Sequence, residues 1–117
     1  MTNRRLGALG VVVGLILVCA GLTPAAAGSG TFGDNICSAS KTNASGWGKT
    51  SKVSGSCGTL SVRLYLQANG GGPPYWTAWS HSLPRVSSFT KYAPNGSGLV
   101  GSDHGIRGLI TVSYLAV

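Results

Sequence analysis

Asp34 and Asp103 are the only carboxylate side chains in this chain of 117 residues, and His81 and His104 are its only imidazoles. Hydrolysis of sugars ordinarily takes two carboxyl groups, one to donate a proton and one to attack or to activate water. Here Asp34 lies in a weakly patterned N-terminal stretch, far in sequence from Asp103. A serine-hydrolase triad needs a histidine oriented by an aspartate and facing an activated serine. Asp103 and His104 are adjacent, so in extended chain their side chains diverge. With Gly101 and Gly105 beside them they read as a turn in which the aspartate caps its own backbone amides. Cys37 and Cys57, twenty residues apart, and two isolated histidines do not make a tetrahedral metal set. The chain therefore reads as a non-catalytic protein with no metal and no cofactor.

The residues suited to binding are more numerous. Cys37 and Cys57 bracket a polar, glycine-rich stretch centred on Trp47. If the two thiols are joined, the segment becomes a closed loop that displays Trp47, Gly48, Lys49 and Lys52 at the margin of a sheet. Gly46 and Gly48 flank the tryptophan, so nothing local buries it, and an aromatic in a constrained loop is a good anchor. The alternative is a Trp47 that folds back over the sheet edge. A second group is Tyr65, Tyr75, Trp76 and Trp79. Strict alternation puts Tyr75, Trp79 and His81 on one face and Trp76 on the other. An exposed row of Tyr65, Tyr75 and Trp79 would stack on sugar rings; otherwise Trp76 or Trp79 fills the core.

Charge and export bound the partners. Asn3-Arg4-Arg5, the apolar run Leu6 to Leu22, the break at Thr23-Pro24 and the small residues Ala25-Ala26-Ala27 read as a signal peptide over 1–27. Gly28 is then the new N-terminus, and the expected location is extracellular. An uncleaved anchor and a lipoprotein fit less well: the run is near the short limit for a span, and Val18 precedes Cys19 where a small residue is wanted. Cleavage removes Cys19 and leaves two cysteines, which in an oxidising compartment read as one disulfide rather than two free thiols. Closing a loop of this size contributes roughly 3 kcal/mol in the chain-entropy model. From Gly28 onward, Lys41, Lys49, Lys52, Arg63, Arg85, Lys91 and Arg107 face two aspartates, a net charge of +5. That balance favours cell-wall polymers or a hydrolase with an acidic cleft, unless it serves solubility alone. Scattered single cations on an exported chain do not suggest nucleic acid. No membrane association is expected after cleavage, and a monomer is.

These residues need strands to position them. Leu60, Val62, Leu64 and Leu66 alternate with Ser61, Arg63, Tyr65 and Gln67, a half-buried antiparallel strand within Gly58–Ala68. Asn69 to Pro74 is a turn, Tyr75 to Leu83 a second strand, and Val86 to Ala93 a third ending at Pro94-Asn95-Gly96. Leu99-Val100 starts a short fourth and Gly108 to Val117 is the last; Thr31-Phe32 and Trp47 to Val53 are further candidates. The expected fold is all-β: a small antiparallel β-sandwich or Greek-key barrel of about six strands with one disulfide, a single domain over 28–117.

Cys37, Trp47, Cys57 and the following Thr59-Leu60-Ser61-Val62-Arg63-Leu64-Tyr65, with Gly98 to Arg107 near the C-terminus, resemble the small secreted α-amylase inhibitors of Streptomyces, the tendamistat family. The resemblance implies a six-stranded sandwich and inhibition of an extracellular glycoside hydrolase, with Trp47, Gly48, Lys49 and Lys52 entering its acidic cleft. The family's Trp-Arg-Tyr triplet reads Trp47-Gly48-Lys49 here, and its second disulfide has no counterpart. A lysine also lacks the planar fork that pairs with carboxylates. Two other functions are consistent with the residues: a carbohydrate or cell-wall binding module using Tyr65, Tyr75 and Trp79, and a secreted antibacterial competition factor drawn to anionic surfaces.

Overall fold

The alternating run after Cys57 becomes the central strand of the larger sheet. In the computed structural model, which describes residues 28–68, 70–94 and 97–117, it fully buries Leu60, Val62, Leu64 and Leu66 and turns Arg63 and Tyr65 outward. In chain order the described strands are β1 (Gly28–Gly33), β2 (Cys37–Ala44), β3 (Trp47–Gly55), β4 (Leu60–Ala68), β5 (Tyr75–Trp76), β6 (Ser80–His81), β7 (Ser88–Tyr92), β8 (Ser97–Ile106) and β9 (Thr111–Ala116). One sheet runs β1-β2-β3-β7; the other runs β9-β8-β4, with β5 and β6 sharing the remaining edge of β4. All pairs are antiparallel, the two sheets stack as a sandwich, and no helix occurs among the described residues. The expected signal segment 1–27, with Cys19, lies outside the described residues, as do Asn69, Asn95 and Gly96 of two expected turns.

Cys37 and Cys57 are joined, with Cα atoms 4.9 Å apart. What they enclose is a β-hairpin rather than an open loop. β2 pairs with β3 along its length, Ala44 lies opposite Trp47, and Gly46 takes the left-handed φ of 95° that the tight turn requires. This hairpin and the two short strands β5 and β6 raise the strand number above the six expected.

The expected turn around Asp103 is the middle of β8 instead. Asp103 pairs with Arg63 on one side and Tyr114 on the other, while His104 points into the sandwich. Gly101 serves close approach there and not chain reversal, because the Tyr114 hydroxyl occupies the space a β-carbon would need.

The core has two apolar clusters. Cys37, Ala39, Cys57, Leu60 and Ile106 pack with Phe32, Val86 and Phe89; Val62, Leu64 and Leu66 pack with Phe89, Ala93 and Leu99. Beside them lies a buried polar chain. Asn43 Nδ2 donates to Ser102 Oγ (3.0 Å), and Thr50 Oγ1 donates to the Ser61 carbonyl (3.0 Å). Ser102 Oγ therefore donates to His104 Nε2 (2.7 Å), and His104 Nδ1–H donates to Thr50 Oγ1 (2.9 Å). One neutral tautomer satisfies each of these links, while the buried Asn43 Oδ1 has no partner among the described residues. A second proton on His104 would turn Nε2 from acceptor to donor and break the Ser102 Oγ–H···Nε2 bond.

Burial, and after it the charge of Lys41, lower the His104 pKa to about 4, against a smaller opposing pull from the Lys49 backbone. The imidazole of the unfolded chain titrates near 6.5. Unfolding thus takes up a proton between these values, so this contribution is complete above the higher one and is lost as pH falls toward the lower. Urea titrations should show a loss of about 3 kcal/mol between pH 7 and pH 4. His104→Gln should be less stable at neutral pH and should lack this slope; an unchanged slope would place its origin elsewhere.

Candidate functional site

The free edge of β4 is paired by a strand one residue too long. Leu66 and Tyr65 face Tyr75 and Trp76, and Val62 and Ser61 face Ser80 and His81. Between these pairs β4 supplies Arg63 and Leu64, while the partner supplies Thr77, Ala78 and Trp79. The surplus residue is a β-bulge opposite Arg63, a device that re-aims side chains. Thr77 keeps the ladder closed: its N–H donates to the Leu64 carbonyl (2.8 Å) and its Oγ1 accepts the Leu64 N–H (2.9 Å). Ser82 does the same for Leu60, at 2.8 and 2.9 Å. Hydroxyl oxygens thereby replace the two carbonyls that the irregular strand cannot present.

The bulge puts Trp79 on the same outer face as Trp76, where strict alternation would separate them. The Arg63 guanidinium carbon lies 4.3 Å from the Trp76 ring centroid and 5.0 Å from that of Trp79. Asp103 Oδ2 accepts from Arg63 Nε at 2.9 Å and pairs with Nη2 at 2.8 Å. Around this clamp, Tyr65 lies tilted against Trp76 at 4.7 Å and Tyr114 meets it edge-on at 6.1 Å. His81 lies nearly parallel to Trp79 at 6.5 Å and is fixed by the 2.6 Å contact of its Nδ1 with Ser61 Oγ. Each cation–π contact is worth about 0.5–1 kcal/mol at exposed sites and more when desolvated. Trp76, Val112 and Tyr114 remain 37–47% exposed, so this face is an open aromatic platform with a fixed guanidinium at its centre.

Neither Trp76 nor Trp79 fills the core, since both lie on the outward side of β4 and the aliphatic residues and Phe89 occupy the interior. Of the expected sugar-stacking row, Tyr65 and Trp79 share the platform. Tyr75 is exposed but stands opposite Leu66, in the inward register. Trp76, Arg63, Asp103 and Tyr114 complete the face and were absent from the row read in the sequence. One signal did point to Arg63–Asp103, because an arginine on a half-buried strand has only two carboxylates to choose from.

The hairpin residues divide. Trp47 and Lys49 point outward on the four-stranded sheet beside Tyr92 and Thr90, and Trp47 is half-buried. Gly48 is buried: a β-carbon there would sit 3.0 Å from Leu64 Cδ2 and 3.2 Å from Val62 Cγ1, so its hydrogen lets the sheets approach. This placement removes Gly48 from the expected binding loop. Lys52 follows the inward register past the end of the core and lines a cavity there.

Both carboxylates are engaged. Asp34 Oδ1 accepts the amides of Ile36 (2.8 Å) and Cys37 (2.9 Å), and Oδ2 accepts from Arg107 (2.6 Å) and Thr111 Oγ1 (3.1 Å). The Ile36 amide and then Arg107 hold this carboxyl well below the usual range. Asp34 thus ties the β1–β2 turn to the β8–β9 turn.

Comparison with family models, with curated proteins and with solved structures finds no match.

The clamp has an energetic signature. The Asp103 side chain is only 10% exposed, so removing Arg63 leaves a largely buried carboxylate without its partner. Arg63→Ala should cost about 2 kcal/mol in urea unfolding, and pairing it with Asp103→Ala should recover about 1 kcal/mol of that. Strict additivity of the two single variants would show the pair is not coupled.

Proposed function

We propose that this protein is an exported, non-catalytic glycan-binding module whose ligand site is the outer face of the five-stranded sheet. The observation that carries this reading is the Arg63 guanidinium fixed between Trp76 and Trp79, with Tyr65 and Tyr114 extending the aromatic surface. Apolar faces of pyranose rings pack on indole and phenol rings, and hydroxyl groups accept hydrogen bonds from a guanidinium and donate them to a carboxylate held beside it. The donors and rings are pre-positioned by strand pairing and an ion pair, so binding orders few side chains. An exposed aromatic patch of this kind is itself a mark of an interaction surface. The positive balance of the chain favours polysaccharides that carry negative charge, such as cell-wall polymers.

Inhibition of an α-amylase-like hydrolase is the second reading. It rests on Trp47, Lys49 and the 72% exposed Tyr92 alongside them on the opposite sheet. Retention on insoluble starch, chitin and peptidoglycan separates the two. The wild-type protein should be retained on at least one. Trp76→Ala and Trp79→Ala should each weaken retention about tenfold, the equivalent of 1.4 kcal/mol, and Trp47→Ala should leave it unchanged. Retention indifferent to Trp76→Ala, or micromolar amylase inhibition abolished by Trp47→Ala, would transfer the function to the hairpin.

A further inference from the structure

A cavity of about 500 Å³ opens at the end of the sandwich that carries the disulfide, lined by Lys52, Gly55, Cys57, Gly58, Arg85 and Val86 among others. Its two charged lining residues, Lys52 and Arg85, are both cations and both exposed to solvent. Neither Lys52 nor Arg85 has a side-chain hydrogen bond or ion pair among the described residues. The two carboxylates of the chain are spent elsewhere, Asp103 on Arg63 and Asp34 on Arg107. The cavity therefore holds uncompensated positive charge against a wall partly formed by Cys57 and Val86, which belong to or pack on the apolar core.

Arg85 adds an independent observation. It follows Pro84 with a φ of 69°, a conformation that favours glycine, and its amide donates to the Gly58 carbonyl at 3.2 Å. A glycine would make the same turn without strain but would leave the cavity without its guanidinium. Arg107 and Leu109 also take a left-handed φ, in the β8–β9 turn, so the conformation counts at Arg85 because it coincides with the cavity.

We propose that this cavity is a binding site for an oxyanion group, a phosphate or a carboxylate carried by a small molecule or by a polymer. The planar fork of Arg85 can grip two oxygens at once, and Lys52, which lines the same cavity, adds a mobile point charge. The volume exceeds what a bare ion needs and falls within the range of small-molecule sites, so the oxyanion would be one end of a larger ligand. This site uses none of the platform residues and stands whether or not the outer face binds glycans.

Thermal unfolding of the disulfide-bonded protein tests it, with inorganic phosphate and sodium glucuronate as probes and sodium chloride at matched ionic strength as reference. Phosphate or glucuronate at about ten times its dissociation constant should raise Tm by about 6 °C over chloride, and the response should saturate. Whichever probe acts names the source of the oxyanion. Arg85→Gly should abolish the response while keeping or raising the ligand-free Tm, since it relieves the strained φ; Lys52→Gln should weaken the response at least severalfold. A response no larger than that to chloride, or one that persists in Arg85→Gly, would overturn the proposal.

Discussion

Every backbone amide on the free edge of β4 needs a partner, and the chain meets that need with a segment one residue longer than the edge it covers. The outer face of the sheet depends on how this mismatch is resolved. Thr77 and Ser82 lend their hydroxyl oxygens to Leu64 and Leu60, so the ladder stays closed on both sides of the bulge. With the hydrogen bonds satisfied, the surplus residue is absorbed opposite Arg63 and Trp79 turns outward beside it. Two tryptophans then flank one guanidinium, and Asp103 on the neighbouring strand fixes its orientation. A backbone requirement thus sets the geometry of a side-chain platform.

The interior makes room for this arrangement by being thin. Gly48 lets β3 approach Val62 and Leu64, and Phe32 and Phe89 are the aromatics packed against the core clusters. The large rings remain outside. Part of the space between the sheets goes to Asn43, Thr50, Ser102 and His104, whose hydrogen bonds link in sequence through a neutral imidazole. Two lysines also reach across the sandwich at its sides, Lys41 to the Tyr114 carbonyl and Lys91 to Ser80 Oγ. With polar links at the centre and flanks, the specificity of this packing rests on hydrogen-bond geometry as much as on buried apolar area.

The all-β class, the disulfide and the faces of β4 were legible because each follows from a local pattern: alternation, cysteine count and aliphatic spacing. Two features escaped that reading for definite reasons. The glycines beside Asp103 and His104 look like turn residues, yet Gly101 is required by the Tyr114 ring lying over it, a contact between strands that nothing local encodes. Alternation across Tyr75 to Leu83 fails because it counts residues evenly, whereas the bulge inserts one against a partner thirteen or more positions away. The candidate site inherits the same limit. Tyr65 and Trp79 were identified as ring donors, but Trp76, Tyr114 and the Arg63–Asp103 pair join them only through long-range register. Gly48 looked like part of a displayed loop because strand pairing, not the flanking residues, buries it.

The three tryptophans occur on opposite sides of the sandwich, Trp47 on one sheet and Trp76 and Trp79 on the other. Their indole N–H signals can therefore be followed separately in ¹H–¹⁵N spectra while soluble oligosaccharides from starch, chitin and peptidoglycan are added. If the bulge-built face is the ligand site, the Trp76 and Trp79 signals shift together and saturably, and Trp47 stays in place. Shifts confined to Trp47, or none with any of these glycans, would contradict it.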